Sequence, residues 1–254
     1  MSYVRRYGNL VFSNNLRDLE TMTYSIRNNT MNSLIIFSKY LGCFETFKAK
    51  LKNYGIKIHH QNTYESFMRI LNTSNNISNN DLIGWIKEVR PKLSESENTF
   101  LKYMLMSGLR RLEAINSFNR IIEMNTKNTL NEYYDNNLNC LKHYQYREFI
   151  RGTKNCLITF IKPNLLNEIA NSKPMDNRNL RYSLDKSKVK CRVKELRKYF
   201  ATFMLEHGIL EGEVNLLQGR INGILFKNYY IPKLSEIRDK VFRALDVLEN
   251  QINK

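Results

Sequence analysis

Glycine and proline are scarce, at 10 and 4 of 254 residues. With so few breakers and with many Leu, Ile, Lys, Asn and Glu residues, the chain favours helices. Cysteine is scarce too. Cys43, Cys140, Cys156 and Cys191 lie far apart, form no Cys-x-x-Cys and meet no histidine at zinc-ligand spacing, and His59, His60, His143 and His207 are equally scattered. This argues against a disulfide framework and a metal site, and reads the thiols as ordinary buried residues of a reducing compartment. No stretch approaches the roughly 18 apolar residues of a membrane helix. Met1–Glu20 has basic residues but no apolar core, so it does not read as a signal peptide, and a cytoplasmic location without membrane contact is expected. Neither a carboxylate cluster of the magnesium-binding type nor a glycine-rich phosphate loop is visible.

Acidic residues are outnumbered. Lys and Arg total 40 against 24 Asp and Glu, a net charge of +16 with a pI near 9.7. The first 72 residues hold 10 basic and 4 acidic side chains, and residues 81–254 hold 30 and 20. Both parts are therefore positive, which suits a protein that meets a polyanion along its length, nucleic acid first. Hydrophobic residues make up 42%, enough for a core in one large or two small domains.

Thr73–Asn80 carries no charge and one apolar residue, and reads as a linker between residues 1–75 and residues 81–254. Before it, Leu34, Ile35, Phe37, Tyr40 and Leu41, then Phe44, Phe47 and Leu51, then Tyr64, Phe67, Ile70 and Leu71 recur at helical spacing. After it, Ser94 and Glu97 form a capping-box pattern ahead of a helix running to Gly108, and a second helix covers about Leu112–Met124. Asn125–Asn139 and Asn171–Lys188 read as polar loops. Tyr146–Ile161, with β-branched residues around Gly152, reads as a hairpin or short sheet. The chain is helical again from Lys188, with Gly208 and Gly219 at helix ends. In Pro232–Lys254 an apolar stripe (Leu234, Ile237, Val241, Leu245, Leu248, Ile252) suits packing on its own domain or on a neighbouring subunit. The expected fold class is mainly α with a small antiparallel β-sheet.

Three basic clusters stand out. They are Ser-Gly-Leu-Arg-Arg-Leu-Glu-Ala at 107–114, Lys-Glu-Leu-Arg-Lys-Tyr-Phe-Ala-Thr at 194–202, and Leu-Gln-Gly-Arg at 217–220, followed nine and ten residues later by Tyr229 and Tyr230. Taken singly, Arg110 or Arg197 reads as an ion-paired surface arginine, and either tyrosine as a partly buried aromatic. The ordered set, over about Ser94–Tyr230, resembles the tyrosine recombinase (phage integrase) family. Lys194 and Arg220, where the bacterial pattern has histidines, resemble the integrases of archaeal viruses and plasmids.

The resemblance implies a two-domain clamp around duplex DNA, with a helical core-binding domain at 1–75 and a catalytic domain at 81–254. It implies site-specific recombination through a 3′-phosphotyrosine, on attachment sites, by a homo-tetramer, with no cofactor. Arg110 and Arg197, with Arg220 as a third contact, would bind the non-bridging phosphate oxygens by paired, permanently charged hydrogen bonds. Lys194 would contact phosphate or move a proton, and Glu113 would orient its neighbours. Lys154 best matches the family's hairpin lysine, which protonates the departing 5′ oxygen, with Arg151 and Lys162 as alternatives. Tyr229, at the commoner family spacing of nine after Arg220, would be the nucleophile, with Tyr230, at ten, as the alternative. Lys186, Lys188, Lys190 and Arg192 read as phosphate contacts without sequence specificity. The terminal stripe would join subunits of the tetramer. Two other readings share the pattern: a DNA-binding protein of this fold that has lost catalysis, and a type IB topoisomerase.

Overall fold

The computed structural model describes residues 3–56, 64, 67, 68, 71, 79–151, 155–186, 188–221 and 233–253. Chain contacts divide it into two units, Met1–Ser74 and Asn75–Lys254. The described residues are mainly helical with one small antiparallel sheet.

The first unit contains α1 (Tyr3–Tyr7), a 3-10 turn at Gly8–Val11, α2 (Arg17–Thr21), α3 (Tyr24–Tyr40) and α4 (Phe44–Asn53). The apolar repeat after Met31 is thus two helices, separated at Leu41–Cys43. α1 and α4 rest on α3, and Leu10, Leu16, Leu19, Leu34, Phe47 and Leu51 are buried together. The Lys50 ammonium donates to the carbonyls of Val11, Phe12 and Ser13 at 3.4, 3.0 and 3.3 Å. It satisfies acceptors that the end of the 3-10 turn leaves open. Tyr64 and Phe67, read at helical spacing, are exposed.

In the second unit α5 (Asn79–Val89) starts earlier than the composition suggested, because Asn79 and Asn80 of the expected linker are its first residues. The linker's Thr73–Ile77 and Ser78 lie outside the described residues. Next comes α6 (Glu95–Ser107), capped as read: the Glu97 N–H donates to Ser94 Oγ at 3.4 Å and the Ser94 N–H to Glu97 Oε2 at 2.9 Å. α7 (Arg111–Thr126) and α8 (Leu130–Tyr133) lead into the sheet. β1 (Tyr134–Asp135), β2 (Cys140–Leu141) and β3 (Thr159–Phe160) pair antiparallel in that order, with Asp135 opposite Cys140 and Cys140 opposite Phe160. α9 (Pro163–Ala170), α10 (Asn179–Lys186), α11 (Val193–Glu206), α12 (Glu211–Leu217) and α13 (Leu234–Asn253) complete the unit.

Three loop and sheet expectations need correcting. Asn125–Asn139, read as loop, holds the end of α7, all of α8, and β1. The turn after β1 closes because Asp135 Oδ1 accepts the N–H groups of Asn137 and Leu138 at 2.9 and 3.0 Å. Asn139 then sits at φ +48, a conformation asparagine tolerates. Among the described residues of Tyr146–Ile161 only Thr159–Phe160 is strand, and its partner is Cys140–Leu141 rather than an arm of its own hairpin. Backbone bonds from Tyr144 to Leu157 at 2.9 Å and from Cys156 to Phe149 at 2.8 Å draw the two arms together through 3-10 turns instead of a ladder. Asn171–Lys188, also read as loop, contains α10.

α11 packs on α6, α5 and α13. The stripe of α13 is consumed there: Ile237, Val241, Leu245, Leu248 and Ile252 are buried in the second unit's own core. In this chain the stripe therefore packs on its own unit. Polar clamps hold the same helix, with Lys162 paired to Asp246 and to Glu249 at 3.3 Å, and Lys102 paired to Glu249 at 2.8 Å. Beneath the sheet, Tyr103 Oη lies 2.6 Å from Ser117 Oγ, and the Tyr133 hydroxyl donates to the same Ser117 Oγ at 3.0 Å. Tyr133 also lies 2.6 Å from His143 Nδ1, and His143 Nε2 lies 2.9 Å from Thr159 Oγ1. Burial pushes His143 down to about 3. Cys140 and Cys156 are buried as expected of the thiols, Cys43 is half-buried, and Cys191 is exposed.

Candidate active site

The three motifs meet because two of them end helices in the same place. α6 stops at Gly108, whose φ of +61 suits glycine, and a Cβ there would lie 2.3 Å from the Phe200 ring of α11. α12 ends in a Schellman turn: the Arg220 N–H donates to Asn215 O at 2.7 Å and the Gly219 N–H to Leu216 O at 2.9 Å. Gly219 has φ +67, and a Cβ on it would stand 1.8 Å from the carbonyl oxygen of Asn155. The backbone of Asn155 and Cys156 is thereby pressed against the Gln-Gly turn.

Arg197, half-buried on α11, fastens the two helix ends. Its Nη1 donates to Gly108 O and its Nη2 to Gln218 O, each at 2.8 Å. The buried Gln218 amide answers by donating to Arg197 O at 3.1 Å. Both carbonyls are helix-end acceptors without an intrahelical donor, so one guanidinium satisfies two of them. Burial, then the neighbouring Arg110 and Arg220 charges, lower Arg197 to about 10, so it stays charged at neutral pH.

Arg110 stands just before α7 in extended backbone, and its N–H donates to Glu113 Oε2 at 3.0 Å. An arginine has nothing with which to accept the N3 amide, so this is half of a capping box. Arg110 Nη1 also donates to Glu113 Oε1 at 2.7 Å and reaches Asn155 O at 3.4 Å. Glu113 is 1% exposed and takes a second guanidinium, Arg151 Nη2, on the same Oε1 at 2.8 Å. The Arg151 N–H donates to Asn155 Oδ1 at 2.9 Å. Asn155 thus holds Arg151 with its side chain and meets Arg110 and Gly219 with its backbone. Its role was not read from the sequence, where a lone Asn after a Gly-Thr-Lys turn carries no distinguishing signal.

Arg220 is exposed at the end of its turn. Lys194 is exposed on the first turn of α11, three residues before Arg197 and so on the same flank. Arg110 and Arg151 thus share one buried carboxylate, and the charges of Arg110 and Arg220 both act on the neighbouring Arg197, so positive charge is in excess here. Lys154, Tyr229 and Tyr230 lie outside the described residues. Lys162, an alternative to Lys154, is already held by Asp246 and Glu249.

Among the expected phosphate contacts, Lys186, Lys188 and Lys190 are exposed, and the Lys190 carbonyl accepts from Trp85 Nε1 at 2.9 Å. Arg192 differs: its side chain is 11% exposed and donates to Glu195 Oε2 at 2.9 and 2.6 Å. Its spacing from Glu195 is what predicts this i,i+3 pair. A cleft of about 650 Å³ bordered by Ser94, Glu97, Lys173, Met175, Arg178 and Tyr182 shares no residue with the arginine cluster. Among the described residues, no group of three or more His, Cys, Asp or Glu is placed to hold a metal ion, and no helix is long and apolar enough to cross a membrane.

A family model described as archaeal phage integrase matches residues 74–245. Neither a curated protein nor a solved structure matches the chain.

Proposed function

The chain belongs to the archaeal phage integrase family, and we propose that it is a tyrosine recombinase that cuts and rejoins DNA at specific sites to integrate or excise a mobile element. The observation that carries this reading is the Arg197 bridge between Gly108 and Gln218, which gathers Arg110, Arg197 and Arg220 around one point.

In the proposed reaction the hydroxyl of Tyr229 or Tyr230 attacks the scissile phosphorus. A bond forms from the phenolic oxygen to phosphorus, the bond from phosphorus to the 5′ oxygen breaks, and a 3′-phosphotyrosine keeps the ester. Arg110, Arg197 and Arg220 hold the charge that grows on the non-bridging oxygens. The phenol's proton passes to solvent as it attacks, Lys154 gives a proton to the departing 5′ oxygen and regains one from solvent, and Lys194 contacts the phosphate flank. Glu113 orients Arg110. Attack by a 5′ hydroxyl from a second site reverses the step with exchanged strands, so the ester bond is conserved without metal or ATP.

Residues 1–75 would serve as a core-binding domain and residues 81–254 as the catalytic domain, closing as a clamp on duplex DNA. A homo-tetramer would then pair two attachment sites. Lys186, Lys188 and Lys190 would contact phosphates, while Arg192 would act chiefly through Glu195.

Covalent trapping tests the reading. The full chain is mixed with DNA carrying the element's attachment region, without added metal, and quenched in SDS. A protein–DNA adduct lost in one of Tyr229→Phe and Tyr230→Phe is expected, and names the nucleophile. Tight binding to a verified site with no adduct would instead identify a DNA-binding protein that has lost catalysis.

A further inference from the structure

Arg151 has no assigned part in the chemistry above, and it shares its ion-pair partner, Glu113, with Arg110. Its Nη2 and the Nη1 of Arg110 both fall on Glu113 Oε1, at 2.8 and 2.7 Å. One carboxylate oxygen neutralises one of these cations and leaves the other in surplus. Glu113 is 2% exposed at its side chain, Arg110 is 26% exposed and Arg151 is 41% exposed. The acid is thus at the bottom and the two guanidinium groups are at the rim. Each guanidinium has five N–H donors in a fixed plane, so bonds to Glu113 orient the plane and leave most donors for another acceptor.

The backbone supports the same placement. Asn155 accepts the Arg151 N–H on its side chain and lies 3.4 Å from Arg110 Nη1 with its own carbonyl. Both arginines are registered by one residue, and that residue abuts Gly219 beside Arg220. Arg120 gives a contrast within the same unit. It pairs with Glu148 and lies over the Tyr146 ring at 4.0 Å, one cation with one anion and no surplus.

We propose that Arg151 is a phosphate-binding residue of the active site, steered by Glu113 to bind the same DNA strand segment as Arg110. This rests on the recombinase reading for the identity of the anion. It also separates Arg151 from the lysine position for which the sequence made it an alternative. A guanidinium does not give up its proton near neutral pH, so Arg151 binds charge and does not protonate the leaving oxygen.

The test uses full-length wild type, Arg151→Ala, Arg151→Lys and Arg120→Ala. Binding to a duplex with no attachment site is measured against salt concentration, and covalent trapping on the attachment-site duplex is run alongside. Losing one phosphate contact lowers the slope of log K against log salt by about 0.9. Arg151→Ala is expected to show that drop and an adduct rate at least about tenfold lower. Arg151→Lys is expected to keep the slope but not the rate, because an ammonium keeps the charge and loses the planar fork. Arg120→Ala is expected to change thermal stability with an unchanged slope. An Arg151→Ala protein with wild-type slope and adduct rate overturns the proposal, whatever its stability. Should the Ala variant fail to fold, a wild-type rate in Arg151→Lys together with a lowered slope overturns it equally. An absent wild-type adduct would count against the recombinase chemistry, and the slope would still decide whether Arg151 meets phosphate.

Discussion

In the first unit, Arg5, Arg17, Lys39 and Lys52 stand on exposed helix surfaces. In the second, Arg197 is fastened to two carbonyls, and Arg110 and Arg151 share one buried carboxylate. The same excess of basic residues therefore does two different things. Exposed, flexible cations raise affinity for any polyanion and are screened by salt. Cations fixed by buried acceptors keep one geometry, which is what stabilising a short-lived charge distribution requires. Net charge alone cannot separate these roles. Lys50 and Arg192 sit on the boundary, since both are basic yet hold the protein together.

The largest break in that contrast should come from Arg197→Ala. Adduct formation should fall about 100- to 1,000-fold, while affinity for duplex DNA changes by less than about tenfold. Single-turnover cleavage beside a binding titration checks this. Gly219→Ala should come next. Its added Cβ meets Asn155 O and it holds φ +67, so urea unfolding should show a loss of about 2–4 kcal/mol and adduct formation should fall with it.

A third test separates fold from site. His143 is pushed down to about 3 by burial, below its unfolded value, so the unfolded state binds the extra proton between roughly pH 6.5 and 3. Its contribution to stability is present above about pH 6.5 and is lost as pH falls, at up to about 1.4 kcal/mol per pH unit. Urea unfolding at pH 7 and pH 5 should show a smaller difference in His143→Gln than in wild type. The smallest effect belongs to the first unit. Lys39→Gln with Lys52→Gln should weaken binding to any duplex about tenfold or less and lower the salt slope by up to about 2, with cleavage of bound DNA unchanged.

Helices were legible where local chemistry sets them. Ser94 with Glu97 fixes the start of α6, and Gly108, Gly208 and Gly219 mark helix ends. A small antiparallel sheet was legible, but β1 and β2 were not located, because the strands are two residues long, too short for alternation to register. The destination of the α13 stripe was not legible either, since an apolar face does not say which core takes it. Within the site, the spacing of Lys194 to Arg197 was enough to put that pair on one helix flank, and Glu113 was legible as a partner of Arg110. The contacts that join the motifs were not readable, because Arg197 to Gly108 and Arg151 to Glu113 span 89 and 38 residues.

The most direct test of the arginine cluster changes the DNA rather than the protein. A methylphosphonate at the cleaved position removes the charge that Arg197 is proposed to hold. The Arg197→Ala defect in adduct formation should then shrink from at least about 100-fold on phosphate to within about tenfold on the neutral linkage. An equal defect on both substrates would contradict charge stabilisation by Arg197 and leave it a purely structural brace between Gly108 and Gln218.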